Sequence, residues 1–409
     1  MTGAAQGLSY GALGLPLAFV ALPLYVVLPN HYAAQFGVPL ATLGALLLGA
    51  RLLDAVVDPW IGRWADRWFA RSTGRVLGAA VIAALLCAIG FRGLFFPAVT
   101  EGTALLAWCA ALLALTYLSY SVLSVVHQAW GARLGGDERE RARIVSWREG
   151  LALVGVLVAS VLPAVAGLSV ATAVFAVTLA IGMALLARAP RPAVAPADAP
   201  SLALPLKTPA FRSLLLVYLV NGIASAVPAT LVLFFIRDRL QAQAFEPLFL
   251  ASYFAAGALS MPLWVRAVAR FGLAKSWLGG MALAVATFAW AALLGAGDVA
   301  GYTAVCIASG LALGADLALP GALLAGVIQR AGHAGRLEGA YFGWWNLATK
   351  LNLALAAGIA LPVLGWFGYQ PGSREPAALQ ALLIAYCGLP CLLKVGAAAL
   401  LLRRMETTT

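Results

Sequence analysis

The stretch RLLDAVVDPWIGRWAD, residues 51–66, places three charges inside an otherwise apolar run. Arg51, Asp54 and Asp58 follow a spacing of three and then four residues, which puts them on one face of a helix. A charge at the centre of a bilayer is costly, so such residues normally face a bundle interior or a water-filled cavity and mark an ion or substrate path. The stretch therefore predicts a membrane helix with a role in transport.

The composition is that of an integral membrane protein. Of the 409 residues, 63% are hydrophobic and 11% are charged, and the mean hydropathy is +0.92. No soluble domain of this length tolerates so apolar a surface. The net charge of +11 does not indicate nucleic acid, because the basic residues lie in short loops between apolar runs. The five cysteines fall within apolar runs and show no metal-ligand spacing.

Apolar stretches of about 20 residues, the length that crosses a bilayer, recur twelve times along the chain. An even number of spans puts both termini on one side of the membrane. Most of the 27 Lys and Arg residues lie in the loops and tail of that side. The positive-inside rule then predicts a multi-pass protein with both termini in the cytoplasm. We expect it in the inner (cytoplasmic) membrane of the cell.

A proline-rich stretch divides the chain. Residues 188–210, RAPRPAVAPADAPSLALPLKTPA, are typical of an extended, semi-rigid linker on the cytoplasmic side. We therefore predict an N-terminal six-helix bundle over residues 1–187 and a C-terminal six-helix bundle over residues 211–409.

The two acids of the opening stretch suggest a titratable site. Asp54 and Asp58 are one helical turn apart, so as bare anions they repel, and burial disfavours the charged form of each. A cation or a proton lies between them, or Arg51 and Lys350 neutralise part of the charge. A permanent Arg51–Asp54 ion pair that only stabilises the helix is the alternative.

Polar residues in three other spans predict a substrate cavity. Tyr120, Ser124 and Gln128 recur at helical spacing, although such hydroxyls also bond to their own backbone carbonyls. The neighbouring His127 is either titratable or a neutral, hydrogen-bonded histidine. Aromatic residues stack on a ring or anchor the helix at the interface. The predicted cavity residues are Tyr120, His127, Gln128, Asp316, Tyr341, Trp345 and Asn346.

Lys350 and Asp66 are charges near or within spans. An amine as deep as Lys350 needs an anionic partner, unless it reaches the interface. Asp66 and Arg67 end the second span, where a carboxylate can interact with the N-terminal end of another helix or with a loop arginine. Such contacts hold a cytoplasmic gate closed, while simple solubility of the loop is the alternative.

The pattern RxxDxxxDPxxGxxxD from Arg51 resembles the second-helix signature of the glycoside-pentoside-hexuronide:cation symporters, a branch of the major facilitators that includes the melibiose symporters. Gly62-x-x-x-Asp66-Arg67 is similar to a loop motif found widely among major facilitators. Three further stretches are similar to segments of this family: DERERARIVSWR from Asp137, GADLALP from Gly314, and GRLEG from Gly335 together with Lys350.

The resemblance implies an all-α integral membrane protein with a major facilitator fold: twelve transmembrane helices in two six-helix bundles. It implies alternating access and cotransport with Na⁺ or H⁺, with Asp54 and Asp58 binding the coupling cation. Arg51, Arg148 and Lys350 then tune that charge or couple it to the gates and the substrate. Gly62, Asp66 and Arg67 form the cytoplasmic gate.

The chain departs from the melibiose symporters at three places. Ser124 stands where those proteins carry a third cation-site acid, and we expect it to bind the cation or proton together with Asp54 and Asp58. Leu15 and Pro16 lie where those proteins carry a sugar-binding acid, and Gln128 replaces a tryptophan that stacks on the sugar. We therefore expect a substrate other than a melibiose-like galactoside. H⁺ is as well supported as Na⁺.

The sequence predicts a cation-coupled (H⁺ or Na⁺) secondary active transporter that moves a small solute by alternating access. The alternative is a lipid or lysolipid translocator of the same fold, since relatives of this signature include lysolipid carriers. An enzyme is not expected, because the chain has no nucleophile elbow, zinc motif or phosphate-binding glycine loop. We expect a small-molecule substrate and the lipid bilayer as partners, no nucleic acid, a monomeric chain, and no cofactor beyond the coupling ion.

Overall fold

The computed structural model describes residues 3–192, 201–370 and 372–406, which form helices and no strand. The long helices are α1 (Ala4–Phe36), α2 (Leu40–Arg71), α3 (Thr73–Phe95), α4 (Gly102–Arg133), α5 (138–166), α6 (168–188), α7 (Pro209–Arg239), α8 (Gln243–Phe271), α9 (Leu273–Ala291), α10 (Val299–Arg330), α11 (Glu338–Trp366) and α12 (Pro376–Glu406). Their number is the one that the sequence predicts.

Helices α5 and α6 form one continuous stretch, Glu138–Arg188, that breaks at Gly167. This residue has φ 81°, a backbone conformation that favours glycine. By length and composition alone, nine helical stretches among the described residues are long and apolar enough to cross a membrane, and Glu138–Arg188 is one of them. Helices α2 and α9 complete the set of twelve.

Contacts divide the chain into two compact units. The first unit comprises Met1–Pro205 and Ala325–Leu347, and the second comprises Leu206–Leu324 and Ala348–Thr409. The end of α10 and the beginning of α11 thus group with the N-terminal helices. The bundle boundaries drawn from the sequence stay a prediction.

The linker predicted at residues 188–210 lies partly outside the described residues, which omit 193–200. On either side of that gap the chain is held by indole groups of the first unit. Trp130 Nε1 donates to the carbonyl of Pro190 at 3.0 Å, and Trp344 Nε1 donates to the carbonyl of Leu202 at 2.8 Å. One helical turn, Leu204–Lys207, then leads to α7.

Glycines let α1 and α5 pack closely in the first unit. A Cβ on Gly14 would lie 2.4 Å from the carbonyl oxygen of Arg148, and one on Gly155 would lie 2.1 Å from that of Leu15. Small residues permit this backbone approach between membrane helices. The contact holds the Arg148 region of α5 against α1.

Candidate functional site

The two acids in the middle of α2 are buried. Asp54 is 3% exposed and Asp58 is fully buried. Ser121 Oγ of α4 donates a hydrogen bond of 2.5 Å to Asp54 Oδ1. The guanidinium of Arg51 lies over the ring of Tyr25, which belongs to a π-helical turn, Pro23–Val27, within α1. The face of α2 predicted to carry charge therefore points into the first unit.

Tyr120 of α4 lies near these two acids and near a third one, Glu149. Its hydroxyl lies within electrostatic range of Asp54, Asp58 and Glu149. Glu149 of α5 forms an ion pair with the adjacent Arg148, at 2.6 Å between Oε1 and Nη2 and 2.9 Å between Oε1 and Nε. The described residues contain no group of three His, Cys, Asp or Glu side chains arranged to hold a metal ion. A cation at Asp54 and Asp58 would therefore use hydroxyl or backbone oxygens as further ligands.

Three residues predicted at the site form a neutral polar cluster between α4 and α11. Gln128 Nε2 donates to Ser124 Oγ at 2.8 Å and to Asn346 Oδ1 at 3.0 Å. Asn346 Nδ2 lies 3.5 Å from the same Ser124 oxygen. The neighbouring Trp345 is buried. Ser121, and not Ser124, is thus the serine that contacts Asp54, and the cation role of Ser124 stays a prediction.

Helices α2 and α11 meet through their backbones. A Cβ on Gly62 would lie 2.1 Å from the carbonyl oxygen of Gly339, and a Cβ on Gly339 would lie 2.3 Å from that of Gly62. One turn further along α11, a Cβ on Gly343 would lie 2.5 Å from the carbonyl oxygen of Asp58. This close crossing positions the beginning of α11 directly against the acid-bearing part of α2.

Asp66 lies at the N-terminal end of α11. It accepts hydrogen bonds from the backbone N–H groups of Gly339 at 2.7 Å and Ala340 at 2.8 Å, where a helix N-terminus favours negative charge. It also pairs with Arg133 of α4 at 2.8 Å, and Arg133 contacts Glu338 at 3.1 Å. We call Asp66, Arg133 and Glu338 the α2–α11 cluster.

All three members of the α2–α11 cluster are buried. Arg133 also donates to the carbonyl of Gly335 in the preceding loop, and the N–H of Gly335 donates to Glu338 at 2.6 Å. Arg67, in contrast, is exposed. Asp66 makes both kinds of contact considered for a gate, with a helix N-terminus and with an arginine. The gating role itself stays a prediction.

Two other predicted cavity residues, His127 and Tyr341, form hydrogen bonds with neighbouring residues of the protein. His127 Nε2 lies 2.8 Å from the carbonyl oxygen of Tyr10, whose hydroxyl donates to the carbonyl of His127 at 3.0 Å. Tyr341 bonds through its hydroxyl to His333 Nδ1 at 2.8 Å, in the loop before α11. Burial, and to a smaller extent the nearby Arg336, lowers the pKa of His333.

Asp316 lies in the second unit and is enclosed by donors. It forms an ion pair with Lys394 of α12 and accepts from Asn221 at 3.0 Å, Ser225 at 3.1 Å and Trp277 at 3.0 Å. We call Asp316 and Lys394 the α10–α12 pair. Lys350 lies in the part of α11 that groups with the same unit, and it is half-buried.

The sequence matches the model of a family described as MFS/sugar transport protein, over residues 9–189 and 200–406. The chain belongs to this family. Its membership makes the protein a multi-pass membrane transporter of a small-molecule substrate, and not an enzyme. The unmatched residues between the two stretches fall within the predicted linker. A search of curated proteins found no match.

Solved transporters show the same fold. A bacterial homologue of the iron transporter ferroportin, in an outward-facing state, has a TM-score of 0.73 at 15% identity and covers 98% of this chain and 99% of its own. The outward conformation of FucP has a TM-score of 0.72 at 14% identity and covers 97% of this chain and 98% of its own. Another structure of FucP is described as the E. coli fucose:proton symporter. The human organic anion transporter MFSD10 has a TM-score of 0.66 at 15% identity and covers 98% of this chain and 100% of its own. These likenesses confirm the major facilitator fold.

Proposed function

We propose that the protein is a cation-coupled secondary transporter of the melibiose-symporter type, in the inner membrane with both termini in the cytoplasm. The coupling ion, H⁺ or Na⁺, binds at Asp54 and Asp58. The observation that carries the proposal is the burial of both carboxylates one turn apart on α2, with the Ser121 hydroxyl on one of them. The fucose:proton symporter among the similar structures is in line with it.

The physics of the two acids supports coupling. Two buried carboxylates one turn apart disfavour the doubly charged state, so binding a proton or a sodium ion lowers the free energy of the helix arrangement that buries them. A ligand shifts a conformational equilibrium only through its different affinities for the two states. An ion that neutralises Asp54 and Asp58 in one arrangement more than in the other therefore drives the transport cycle.

The remaining predicted residues have roles in the same cycle. Arg51 carries positive charge near Asp54, Arg148 pairs with Glu149, and Tyr120 lies near Asp54, Asp58 and Glu149. The cluster of Ser124, Gln128 and Asn346 offers neutral hydrogen-bonding groups of the kind that bind a polar solute. The α2–α11 cluster closes the cytoplasmic side, and it opens when α11 leaves Asp66.

Uptake into proteoliposomes tests the proposal. Purified protein is screened against a panel of sugars, other small solutes and a lysolipid, under an imposed Na⁺ or pH gradient. We expect one gradient to drive accumulation of one solute class. Asp58→Asn is expected to abolish gradient-driven accumulation while solute counterflow survives, because counterflow needs alternating access but no ion binding.

Glu101→Gln is the matched control, since Glu101 is an exposed acid at the beginning of α4. It is expected to transport like the unaltered protein. Accumulation that persists in both Asp54→Asn and Asp58→Asn would show that these acids do not couple the ion.

A further inference from the structure

The second unit contains a partly open cavity of about 150 Å³ that is lined by residues of α7, α8, α9, α10 and α12. Aromatic rings supply much of its wall: Phe249, Tyr253, Phe254, Phe288, Tyr302 and Tyr386. Small and aliphatic side chains such as Ala284 fill most of the remainder, and Ser225, Asp316 and Lys394 line one end. An apolar cavity of about 150 Å³ is large enough for a benzene-sized ring.

The charged groups at one end of the cavity are bonded to one another and to neighbouring polar side chains. The Lys394 ammonium donates to Asn221 at 2.9 Å, to Ser225 at 3.0 Å and to Asp316. These contacts use all three of its N–H groups. Because the α10–α12 pair is neutral as a unit and its donors are satisfied, a charged guest would be buried without a counter-ion, which is strongly unfavourable. The cavity therefore selects against charge.

One hydrogen-bond donor remains for a guest. Tyr302 and Tyr386 are 1% and 4% exposed and bond to each other through their hydroxyls at 2.6 Å. That bond uses one of the two phenol protons, and neither hydroxyl has another partner among the described residues. Phe235 stacks on Tyr386 at 4.2 Å between ring centroids, and Phe249 packs edge-on against Tyr302 at 4.8 Å. The second proton therefore has no partner among the described residues, and it belongs to a pair of rings that form part of the cavity wall.

We propose that this cavity binds an uncharged, ring-sized molecule with a mostly apolar body and one hydrogen-bond acceptor. The body packs against the aromatic rings, and the acceptor receives the second proton of the Tyr302–Tyr386 pair. The site lies within the second unit and requires no ion at Asp54 or Asp58. It is thus independent of the proposed coupling function, and it can be tested without a gradient.

Fluorine NMR on the purified full chain in detergent tests the site with small aromatic probes. We expect saturable binding of 4-fluorophenol and roughly 2- to 10-fold weaker binding of fluorobenzene, which lacks the acceptor and so loses about one hydrogen bond. The charged 4-fluorobenzoate and 4-fluorobenzylammonium should not bind. Equal binding of neutral and charged probes would overturn the proposal.

A pair of matched variants locates the binding. Ala284 of α9 is buried and lines the cavity, whereas Ala286 on the same helix is exposed. Ala284→Phe fills the cavity and is expected to abolish binding of 4-fluorophenol, and Ala286→Phe is expected to retain it. Binding that survives unchanged in a folded Ala284→Phe protein would place the probe elsewhere and refute the site.

The double variant Tyr302→Phe/Tyr386→Phe keeps the ring shapes, and it tests the donor even if Ala284→Phe does not fold. A single substitution leaves one hydroxyl and its proton, so both must be removed. Affinity for 4-fluorophenol should fall roughly 2- to 10-fold, the effect of one lost hydrogen bond, while fluorobenzene binds as before. An unchanged preference for 4-fluorophenol would rule out the phenol pair as the donor.

Discussion

The α2–α11 cluster of the first unit and the α10–α12 pair of the second unit are two buried charge networks with different balances. Arg133 faces two acids, Asp66 and Glu338, so these three groups contain one more acidic than basic side chain. Lys394 faces one acid, Asp316, within a shell of neutral donors. The extra acidic side chain in the first unit is met by backbone N–H groups at the beginning of α11.

This difference in charge balance indicates which of the two networks breaks more easily when a helix moves. A pair that is neutral and satisfied by side chains resists change, because separating it exposes charges to an apolar interior. A network that depends on the N-terminus of another helix is broken whenever that helix moves. We therefore expect the α10–α12 pair to stay intact during transport and the α2–α11 cluster to form and break.

The largest expected effect is that of Arg133→Gln. It leaves Asp66 and Glu338 buried next to each other without their cation, and removing one partner of a buried ion pair typically costs about 3–5 kcal/mol. Thermal unfolding in detergent should show a strongly lowered midpoint. Arg67→Gln, at an exposed position on α2, is the control and should have little effect. Similar midpoints for the two variants would contradict the α2–α11 cluster as described.

Charge-neutral double variants sharpen the comparison. Lys394→Gln alone should destabilise the protein by roughly 3 kcal/mol, because Asp316 loses its cation. Asp316→Asn/Lys394→Gln should recover most of that loss, since no charge remains. Asp66→Asn/Arg133→Gln should recover little, because Glu338 stays buried without its cation. The same unfolding assay measures the stability of both double variants. If both recover the same share of the lost stability, the two networks do not differ in charge balance as described.

Gly339→Ala should have a smaller effect. The added Cβ would lie 2.3 Å from the carbonyl oxygen of Gly62 and 2.8 Å from Asp66 Oδ1. Overpacking of this kind costs about 1–3 kcal/mol, and it should push α11 away from α2. We expect a modest loss of stability and faster labelling of a cysteine introduced at Ala340. Gly358→Ala on the same helix, where nothing lies within 4 Å of an added Cβ, is the control.

His333 should give the smallest effect. Burial lowers its folded-state pKa, so the unfolded chain binds the proton more readily and folding stability falls as the pH drops below the ordinary histidine pKa of about 6.5. The side chain is only partly buried, so we expect a change well below about 1 kcal/mol. The melting midpoint should fall slightly between pH 7.5 and pH 5.5. His333→Gln should fall less over the same range.

Much of the fold and part of the candidate site follow from the sequence. The hydropathy pattern predicts the helix number because each span must satisfy its own backbone in lipid, and the three-then-four spacing identifies Asp54 and Asp58 because it stays within one helix. Contacts between helices, in contrast, could not be predicted from the sequence. The partnership of Lys394 with Asp316, or of Ser121 with Asp54, depends on how each helix is rotated, which local spacing does not determine.

Of the residues that the sequence analysis did not identify, Lys394 can be recognised in the sequence and Arg133 cannot. Lys394 is an isolated base in an apolar run, PCLLKVGAA, and such a residue calls for an acid on another helix. The choice between Asp316 and the acids of α2 needed the three-dimensional structure. Arg133 lies at the end of a span, where positive charge is usual, so its burial against Asp66 could not be distinguished from an ordinary topology signal.

The crossing of Gly62 and Gly339 has a mechanical consequence. At this crossing the backbones of α2 and α11 lie against each other, and peptide groups have no rotamers to adjust. Such a contact depends on the register of the two helices. We therefore expect α11 to return to the same position in each transport cycle, where the hydrogen bonds of Asp66 re-form.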